Sequence, residues 1–223
     1  VFQLSSGHGL VIGPLKIVDA SSVIDCSVNA VIINDFSHFS LVSPAQAVLV
    51  VEKDATFQKL IEDGFRSLFP NIILVTGRGY PDNATRILLH KLRDIPLFGL
   101  LDCDPHGIEI AMTYKYGGAK ANYALEDRKL PHFQWVGLSR FNLPKFAISD
   151  LQFIPLQQRE MAKVERLCQR AAALGDITFL TEVLLQKMYM DGNKLELEAV
   201  SGIAPGSMCR YLLQTELGKY AAR

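Results

Sequence analysis

Three carboxylates follow two short apolar runs of the sequence. Glu52 comes directly after Ala47–Val51, and Asp102 and Asp104 follow Leu97–Leu101. Each run has the length and composition of a strand that is buried on both faces of a parallel sheet. Because ligands bind at the carboxyl ends of the strands in open α/β sheets, we expect these three side chains to share one edge of a sheet.

The spacing of these carboxylates indicates a cation site. Asp102 and Asp104 are two residues apart, so on an extended chain they point to the same side while Cys103 points away. Three carboxylates brought together repel one another unless a cation or protons intervene. Hard oxygen ligands on a rigid frame suit Mg²⁺, which keeps several waters and leaves positions for phosphate. The sequence therefore predicts a Mg²⁺ site formed by Glu52, Asp102 and Asp104.

Each of these carboxylates also has a simpler interpretation. Asp104 precedes Pro105 and is suited to capping a helix on its own. Glu52 and Asp102 are equally compatible with solvated positions at the ends of strands. Taken singly, each residue favours the simpler interpretation, and only their combination in one sheet favours a metal site.

A glycine-rich segment, Thr76–Asp82, lies between a second apolar run, Ile72–Val75, and a predicted helix. Its glycines allow the backbone to approach a ligand closely, and Arg78 could hold a phosphate. A tight strand-to-helix turn with an exposed arginine is an equally good interpretation. The segment is neither a phosphate-binding P-loop nor a dinucleotide fingerprint, since the glycine spacing of both is absent.

The elements that must position these residues alternate between strands and helices. After a β-type region that extends to about Val42, helices are predicted to begin at Asp54, Asp82 and Asp104, and Pro70 ends the first of them near Phe69. The apolar runs that separate them are predicted strands: Ala47–Val51, Ile72–Val75, Leu97–Leu101 and Gln134–Leu138. This alternation implies right-handed crossovers and a largely parallel sheet.

The last part of the chain has mainly helical periodicity. Helices are predicted over Gln157–Leu174, Phe179–Met190 and Ser207–Lys219, whereas Leu195–Val200 alternates and predicts a short strand or extended segment. The inward face of the first helix is assigned to Met161, Val164, Leu167 and Cys168. We divide the chain into a β-rich flank at 1–46, an α/β core at 47–150 and a mostly helical flank at 151–223 that packs on the core.

Composition narrows the possible classes of protein. The 23 basic and 23 acidic residues give zero net charge, which argues against tight DNA binding by this chain alone but leaves room for a local basic groove. The longest apolar runs are too short to cross a bilayer, so no membrane partner is expected. Four scattered cysteines indicate reduced, mostly buried thiols rather than a zinc site. Because the sequence begins without Met, we interpret it as a fragment.

Three segments together carry a family resemblance. Val50–Asp54, Thr76–Asp82 and Asp102–Ile110 resemble the Toprim signature of topoisomerase VI A subunits and of their meiotic relatives, which make the double-strand breaks that start recombination. The resemblance covers roughly Leu49–Tyr116 and is weaker in the flanks. His106 favours the eukaryotic meiotic branch, because archaeal A subunits tend to have Trp at that position.

The resemblance implies a fold and a mechanism. A Toprim-type sheet flanked by helices would hold Mg²⁺ through Glu52, Asp102 and Asp104, and Glu52 could also take part in proton transfer. A tyrosine would attack a phosphodiester of double-stranded DNA and stay joined to the 5′ end. The implied partners are a second copy of the protein, further recombination factors, and a topoisomerase VI B-like subunit, which in topoisomerase VI itself binds ATP. The implied location is the nucleus.

The nucleophile that the resemblance implies has no counterpart here. In the family it lies in a winged-helix domain before the first Toprim motif, whereas no tyrosine precedes Glu52 in these 223 residues. All seven tyrosines follow it: Tyr80, Tyr114, Tyr116, Tyr123, Tyr189, Tyr211 and Tyr220. We therefore expect this chain to bind metal without cutting DNA. The competing hypotheses are a Toprim nuclease in which metal activates water, and a non-catalytic scaffold that holds partners.

Overall fold

The computed structural model describes residues 8–117, 129–138, 152–181 and 192–222. At its centre is a six-stranded sheet in the order β4-β1-β7-β6-β8-β9. Its strands are β1 (Leu10–Ile12), β4 (Val31–Ile32), β6 (Ala47–Val51), β7 (Ile72–Thr76), β8 (Leu97–Leu100) and β9 (Gln134–Trp135). The four strands from β7 to β9 run parallel, and β1 and β4 add an antiparallel edge. The predicted mixed α/β fold with a largely parallel sheet is confirmed.

The register of the sheet brings the ends of its three central strands level. Val51, the last residue of β6, pairs with Thr76 of β7 on one side and with Leu100 of β8 on the other. All three strands are fully buried, as their continuous apolar sequences predict. All three strands therefore end at a common edge of the sheet. Polar segments follow there, beginning at Glu52 after β6, at Gly77 after β7 and at Asp102 shortly after β8.

Four helices follow the central strands along the chain: two come after β6, one after β7 and one after β8. They are α1 (Asp54–Glu62), α2 (Phe65–Leu68), α3 (Asn83–Lys91) and α4 (Pro105–Tyr116). The predicted caps of the last two are confirmed, because Asp82 accepts a hydrogen bond from the Thr85 amide at 2.7 Å and Asp104 accepts one from the Gly107 amide at 2.6 Å.

The first helix was predicted incorrectly in two respects. A single helix from Asp54 to Phe69 was expected, but the chain breaks at Gly64, whose φ of 82° is a left-handed conformation that glycine adopts without strain. The N-cap is Lys53 in extended conformation, and Asp54 lies in the first turn, where its charge complements the helix dipole.

The N-terminal flank is rich in strands, as predicted. Besides β1 and β4 it forms a separate three-stranded antiparallel sheet from β2 (Lys16–Val18), β3 (Val23–Asp25) and β5 (Ser40–Val42). Because β1 pairs with β7, this flank contributes directly to the central sheet. The boundaries at residues 46 and 150 remain predictions.

The C-terminal part contains short elements and one long helix. They are β10 (Ile154–Pro155), α5 (Gln158–Ala173), α6 (residues 177–181), β11 (Asn193–Lys194), α7 (Glu198–Ser201), α8 (Ser207–Leu213) and a 3₁₀ helix (Glu216–Tyr220). No helix in the described ranges is both long enough and apolar enough to cross a membrane. The second predicted helix, Phe179–Met190, lies outside the described residues beyond position 181.

Several sequence predictions for this part were wrong. Met161 was assigned to the inward face of α5, but it is 53% exposed, whereas Val164, Leu167 and Cys168 are buried as predicted. The last helix ends at Leu213 instead of Lys219, and a 3₁₀ helix follows it. The extended segment predicted over Leu195–Val200 is confirmed only in its first half, where Leu195 forms a bridge with Cys103, because the chain enters α7 at Glu198. The fourth core strand is confirmed but shorter, at Gln134–Trp135.

A charged contact joins α4 to α6. The buried ammonium group of Lys115 lies 3.1 Å from Asp176 Oδ2, and the Tyr116 hydroxyl donates a hydrogen bond to the same oxygen at 2.5 Å. The other oxygen of Asp176 accepts from the Phe179 amide at 2.9 Å and so caps α6. The Tyr116 bond, the Phe179 amide and Lys115 lower the pKa of Asp176 to about 2.

Asp176→Asn is expected to destabilise the fold by about 2–4 kcal/mol, because it leaves the buried Lys115 ammonium without its counter-charge while asparagine still caps α6. Glu216→Gln is the control, since the Lys219–Glu216 pair is exposed and should contribute less than about 0.5 kcal/mol. Urea unfolding at neutral pH measures both. Equal stability losses for the two variants would contradict this account of Lys115.

Candidate metal centre

Glu52 lies at the centre of the edge where β6, β7 and β8 end. It is 8% exposed, and its Oε2 accepts a hydrogen bond from the Asp102 amide at 3.1 Å. Its backbone carbonyl accepts from the Gly79 amide at 2.8 Å and from Thr76 Oγ1 at 3.3 Å. Glu52 is therefore fixed both to the chain that leaves β8 and to the glycine-rich turn that leaves β7.

Asp102 and Asp104 are buried on the neighbouring segment. Asp102 is 1% exposed, and its two oxygens accept from the Leu197 amide at 2.8 Å and from Lys53 Nζ at 2.9 Å. Asp104 uses Oδ1 to cap α4. Gly107, in the first turn of α4, packs directly on the backbone, because a Cβ atom there would lie 2.2 Å from the Asp102 carbonyl oxygen.

The three carboxylates interact electrostatically, as the strand-end argument predicted. Burial, followed by the charges of Asp102 and Asp104, raises the pKa of Glu52 to about 7. Burial also raises the pKa of Asp102, although the Leu197 amide and Lys53 oppose this shift. The edge of the sheet therefore holds negative charge that its own surroundings only partly neutralise.

The donor atoms at this edge suit Mg²⁺ without forming a complete cage. Within the described ranges, no three His, Cys, Asp or Glu side chains converge as a ready metal site. Both oxygens of Asp102 are already engaged, whereas Glu52 Oε1 and Asp104 Oδ2 accept no hydrogen bond from the described residues. Mg²⁺ usually binds through one or two carboxylates and completes its shell with waters and phosphates. Glu52 and Asp104 match that pattern, and the three-residue ligand set stays a prediction.

Sequence reasoning missed a lysine and two glutamates beside the cluster. Lys53 Nζ lies 3.3 Å from Glu196 Oε2 and 3.0 Å from Glu198 Oε1, in addition to its contact with Asp102. Burial alone would lower the pKa of Lys53, but its bonds to Asp102 and Glu198 raise it. The alternation of Leu and Glu in Leu195–Val200 predicts an extended backbone there, but it does not indicate which residue the glutamates contact.

The glycine-rich turn holds Arg78 in an uncommon conformation. Its φ is 54°, the only positive value for a non-glycine residue in the described part of the chain. Such strain persists where the surroundings fix the backbone, and here the Arg78 amide bonds to Thr76 Oγ1 at 3.0 Å. The guanidinium group lies 3.2 Å from Asp54 Oδ2, and both side chains are about 40% exposed. Arg78 is accessible at this edge, and its contact with phosphate remains a prediction.

A second polar network adjoins the turn. The Tyr80 hydroxyl donates to Glu109 of α4, and Lys163 of α5 lies 2.6 Å from the same carboxylate and 3.0 Å from His106 Nδ1. Burial, together with the bond to Glu109, raises the pKa of Tyr80. His106, which in the sequence only favours one branch of the family, lies in this connection between the turn and two helices.

A mostly parallel sheet with a glutamate after one strand and an Asp-x-Asp pair after its neighbour defines the Toprim class of domain. The family profile for the Toprim domain of Spo11 and of the topoisomerase 6 A subunit matches residues 47–217. The chain belongs to this family, and the resemblance seen in its three motifs is confirmed.

Similar proteins include both branches of the family. The chain is 40% identical over 215 residues to the "Meiotic recombination protein spo-11" of Caenorhabditis elegans, which covers 94% of this chain and 50% of that protein. It is 32% identical over 222 residues to the human "Meiotic recombination protein SPO11", with 96% and 56% covered. It is 29% identical over 206 residues to the A subunit of DNA topoisomerase 6 from Arabidopsis thaliana, with 89% and 48% covered. The chain thus spans about half the length of the curated relatives that it matches.

Without metal, the stability of the fold should fall as pH rises from about 4.5 to about 7. In this window the folded state keeps a proton on Glu52 that the unfolded state has lost, so deprotonation disfavours folding. The contribution of Glu52 to this loss is up to about 3 kcal/mol, so Glu52→Gln should flatten most of the slope and leave the part that comes from the raised pKa of Asp102. Urea unfolding in EDTA across this pH range measures the slope. Glu216→Gln serves as the control that keeps the slope, and an unchanged slope in Glu52→Gln would reject the assignment.

Proposed function

We propose that this chain supplies the Mg²⁺-binding part of a DNA-cleaving centre in a protein that makes double-strand breaks to initiate meiotic recombination. The observation that carries the proposal is the buried cluster of Glu52, Asp102 and Asp104, located at one sheet edge within a family match over residues 47–217. The higher identity to the two meiotic proteins than to the Arabidopsis topoisomerase protein supports the meiotic role.

Each residue of the edge has a separate task in this proposal. Glu52, Asp102 and Asp104 would hold Mg²⁺, and Glu52 and Asp104 each offer an oxygen that accepts no hydrogen bond from the described residues. When bound, Mg²⁺ stabilises charge on the phosphate and on the leaving 3′ oxygen. Arg78 would bind a neighbouring DNA phosphate in place of Asp54. Glu52 would also take part in proton transfer at the leaving oxygen.

The whole protein would contribute what this sequence does not contain. The proposed nucleophile is a tyrosine of a winged-helix domain, which attacks a phosphodiester of double-stranded DNA and remains bonded to the 5′ phosphate. We further propose that two copies act together, one copy's tyrosine reaching the other's metal edge. Additional recombination factors and a topoisomerase VI B-like subunit would assemble with this dimer in the nucleus.

Asp104→Asn should weaken Mg²⁺ binding at least about tenfold, since even residues that only support metal ligands contribute 10- to 100-fold. Asp82→Asn is the matched control, because both aspartates cap helices and asparagine caps equally well. Isothermal titration with MgCl₂ measures both variants against the wild type. Wild-type chain that binds no Mg²⁺, or equal affinity in both variants, would favour the non-catalytic scaffold.

The 223-residue chain, incubated with supercoiled DNA and Mg²⁺, should yield neither strand breaks nor covalent protein–DNA adducts, because no tyrosine precedes Glu52. Denaturing the reaction and separating DNA from protein-bound DNA detects adducts, and gel electrophoresis of the plasmid detects breaks. Adducts would show that one of the seven tyrosines acts as a nucleophile. Breaks without adducts would favour the hydrolytic nuclease.

A further inference from the structure

The ammonium group of Lys53 is surrounded by carboxylate oxygens. It lies 2.9 Å from Asp102 Oδ2, 3.3 Å from Glu196 Oε2, and 3.0 and 3.2 Å from the two oxygens of Glu198. The Asp102 side chain is only 2% exposed, whereas Glu196 and Glu198 are 39% and 48% exposed. Lys53 therefore connects a buried carboxylate of the metal edge with an outer pair of carboxylates at the surface.

The location of Lys53 is unfavourable apart from these contacts. It is the N-cap of α1, where the helix dipole disfavours a positive charge, and its side chain makes no capping hydrogen bond. The carboxylates of Asp102, Glu196 and Glu198 must offset that cost. A lysine that served only as a linker between β6 and α1 would not need to converge on three acidic residues.

The backbone brings the outer pair to Lys53. The Cys103 amide donates to the Leu195 carbonyl at 3.0 Å, and the Leu195 amide donates back at 3.1 Å. Two residues later the Leu197 amide donates to Asp102 Oδ1. These hydrogen bonds hold the segment 195–198 beside Asp102 and Cys103. The Glu196 side chain then reaches the same ammonium group that Asp102 contacts.

We propose that Lys53 is a positioning residue that acts as a tethered cation: it occupies a cation position between Asp102, Glu196 and Glu198, beside the site of the divalent ion. The proposal rests on the proposed function for the identity of that ion. Without the ammonium group, three carboxylates would face one another beside Glu52, and a divalent cation would fill the vacated position. Lys53→Met should therefore gain a binding equivalent for Mg²⁺.

Lys59 provides a matched control on the same helix. Its Nζ lies 2.9 Å from Asp63 Oδ1, and the side chains are 35% and 4% exposed, close to the 33% and 2% of Lys53 and Asp102. This second pair lies away from the metal edge. Both Lys59→Met and Lys53→Met therefore lose a half-buried ion pair. Only Lys53→Met also removes a positive charge from between Asp102, Glu196 and Glu198.

The experiment compares wild type, Lys53→Met and Lys59→Met by thermal unfolding in EDTA and in MgCl₂, with the stoichiometry determined by isothermal titration. Both variants should have a lower Tm in EDTA. Only Lys53→Met should recover with Mg²⁺, with a Mg²⁺-dependent shift about twice that of wild type, because a second bound ion adds a second stabilising contribution. Glu198→Gln added to Lys53→Met should reduce this gain.

A Mg²⁺-dependent shift in Lys53→Met no larger than that of Lys59→Met would overturn the proposal. If Lys53→Met folds only with Mg²⁺ present, the tethered cation is supported. If Lys53→Met folds in neither condition, Lys53→Gln is tested in the same way, because glutamine keeps an amide donor without the charge. The proposed function is separable. Failure of wild type to bind Mg²⁺ while Lys53→Met does so would reject the function alone, and normal wild-type binding without the gain would reject the tethered cation alone.

Discussion

Uncompensated negative charge at one end of a sheet is the constraint on which the rest of this structure depends. The parallel register of β6 with β7 and β8 forces Glu52, Asp102 and Asp104 to leave the core at the same edge. Buried carboxylates are costly unless hydrogen-bonded or paired, and amide groups together with Lys53 offset only part of that cost.

The groups that offset this charge are far apart in the sequence. The Gly107 amide belongs to the first turn of α4, the Leu197 amide precedes α7, and Lys53 begins α1. The glycine-rich turn binds the Glu52 carbonyl, and the network of Tyr80 and Lys163 connects that turn to α5. Substitutions far from the carboxylates in sequence can therefore change their electrostatic environment.

How much the sequence could predict depended on how local each cause is. Buried apolar runs predicted the core strands, and the caps at Asp82 and Asp104 followed from short-range chemistry. The break at Gly64 has a local cause too, a glycine within a helical pattern, but apolar periodicity alone does not reveal it. The contacts of Lys53 were not predictable, because 143 and 145 residues separate it from its glutamate partners. No local pattern carries information about such pairs.

The bond from the Leu197 amide to Asp102 spans 95 residues, and this separation affects the order in which the molecule can form. Closing so long a loop costs chain entropy before the contact contributes any stability. During synthesis, β6, β7 and β8 can pair well before residues 195–198 emerge. Until then Asp102 lacks its backbone donor and Lys53 lacks its outer partners. The acidic edge is therefore completed late, and a nascent chain would carry the central strands before the groups that offset their carboxylates are in place.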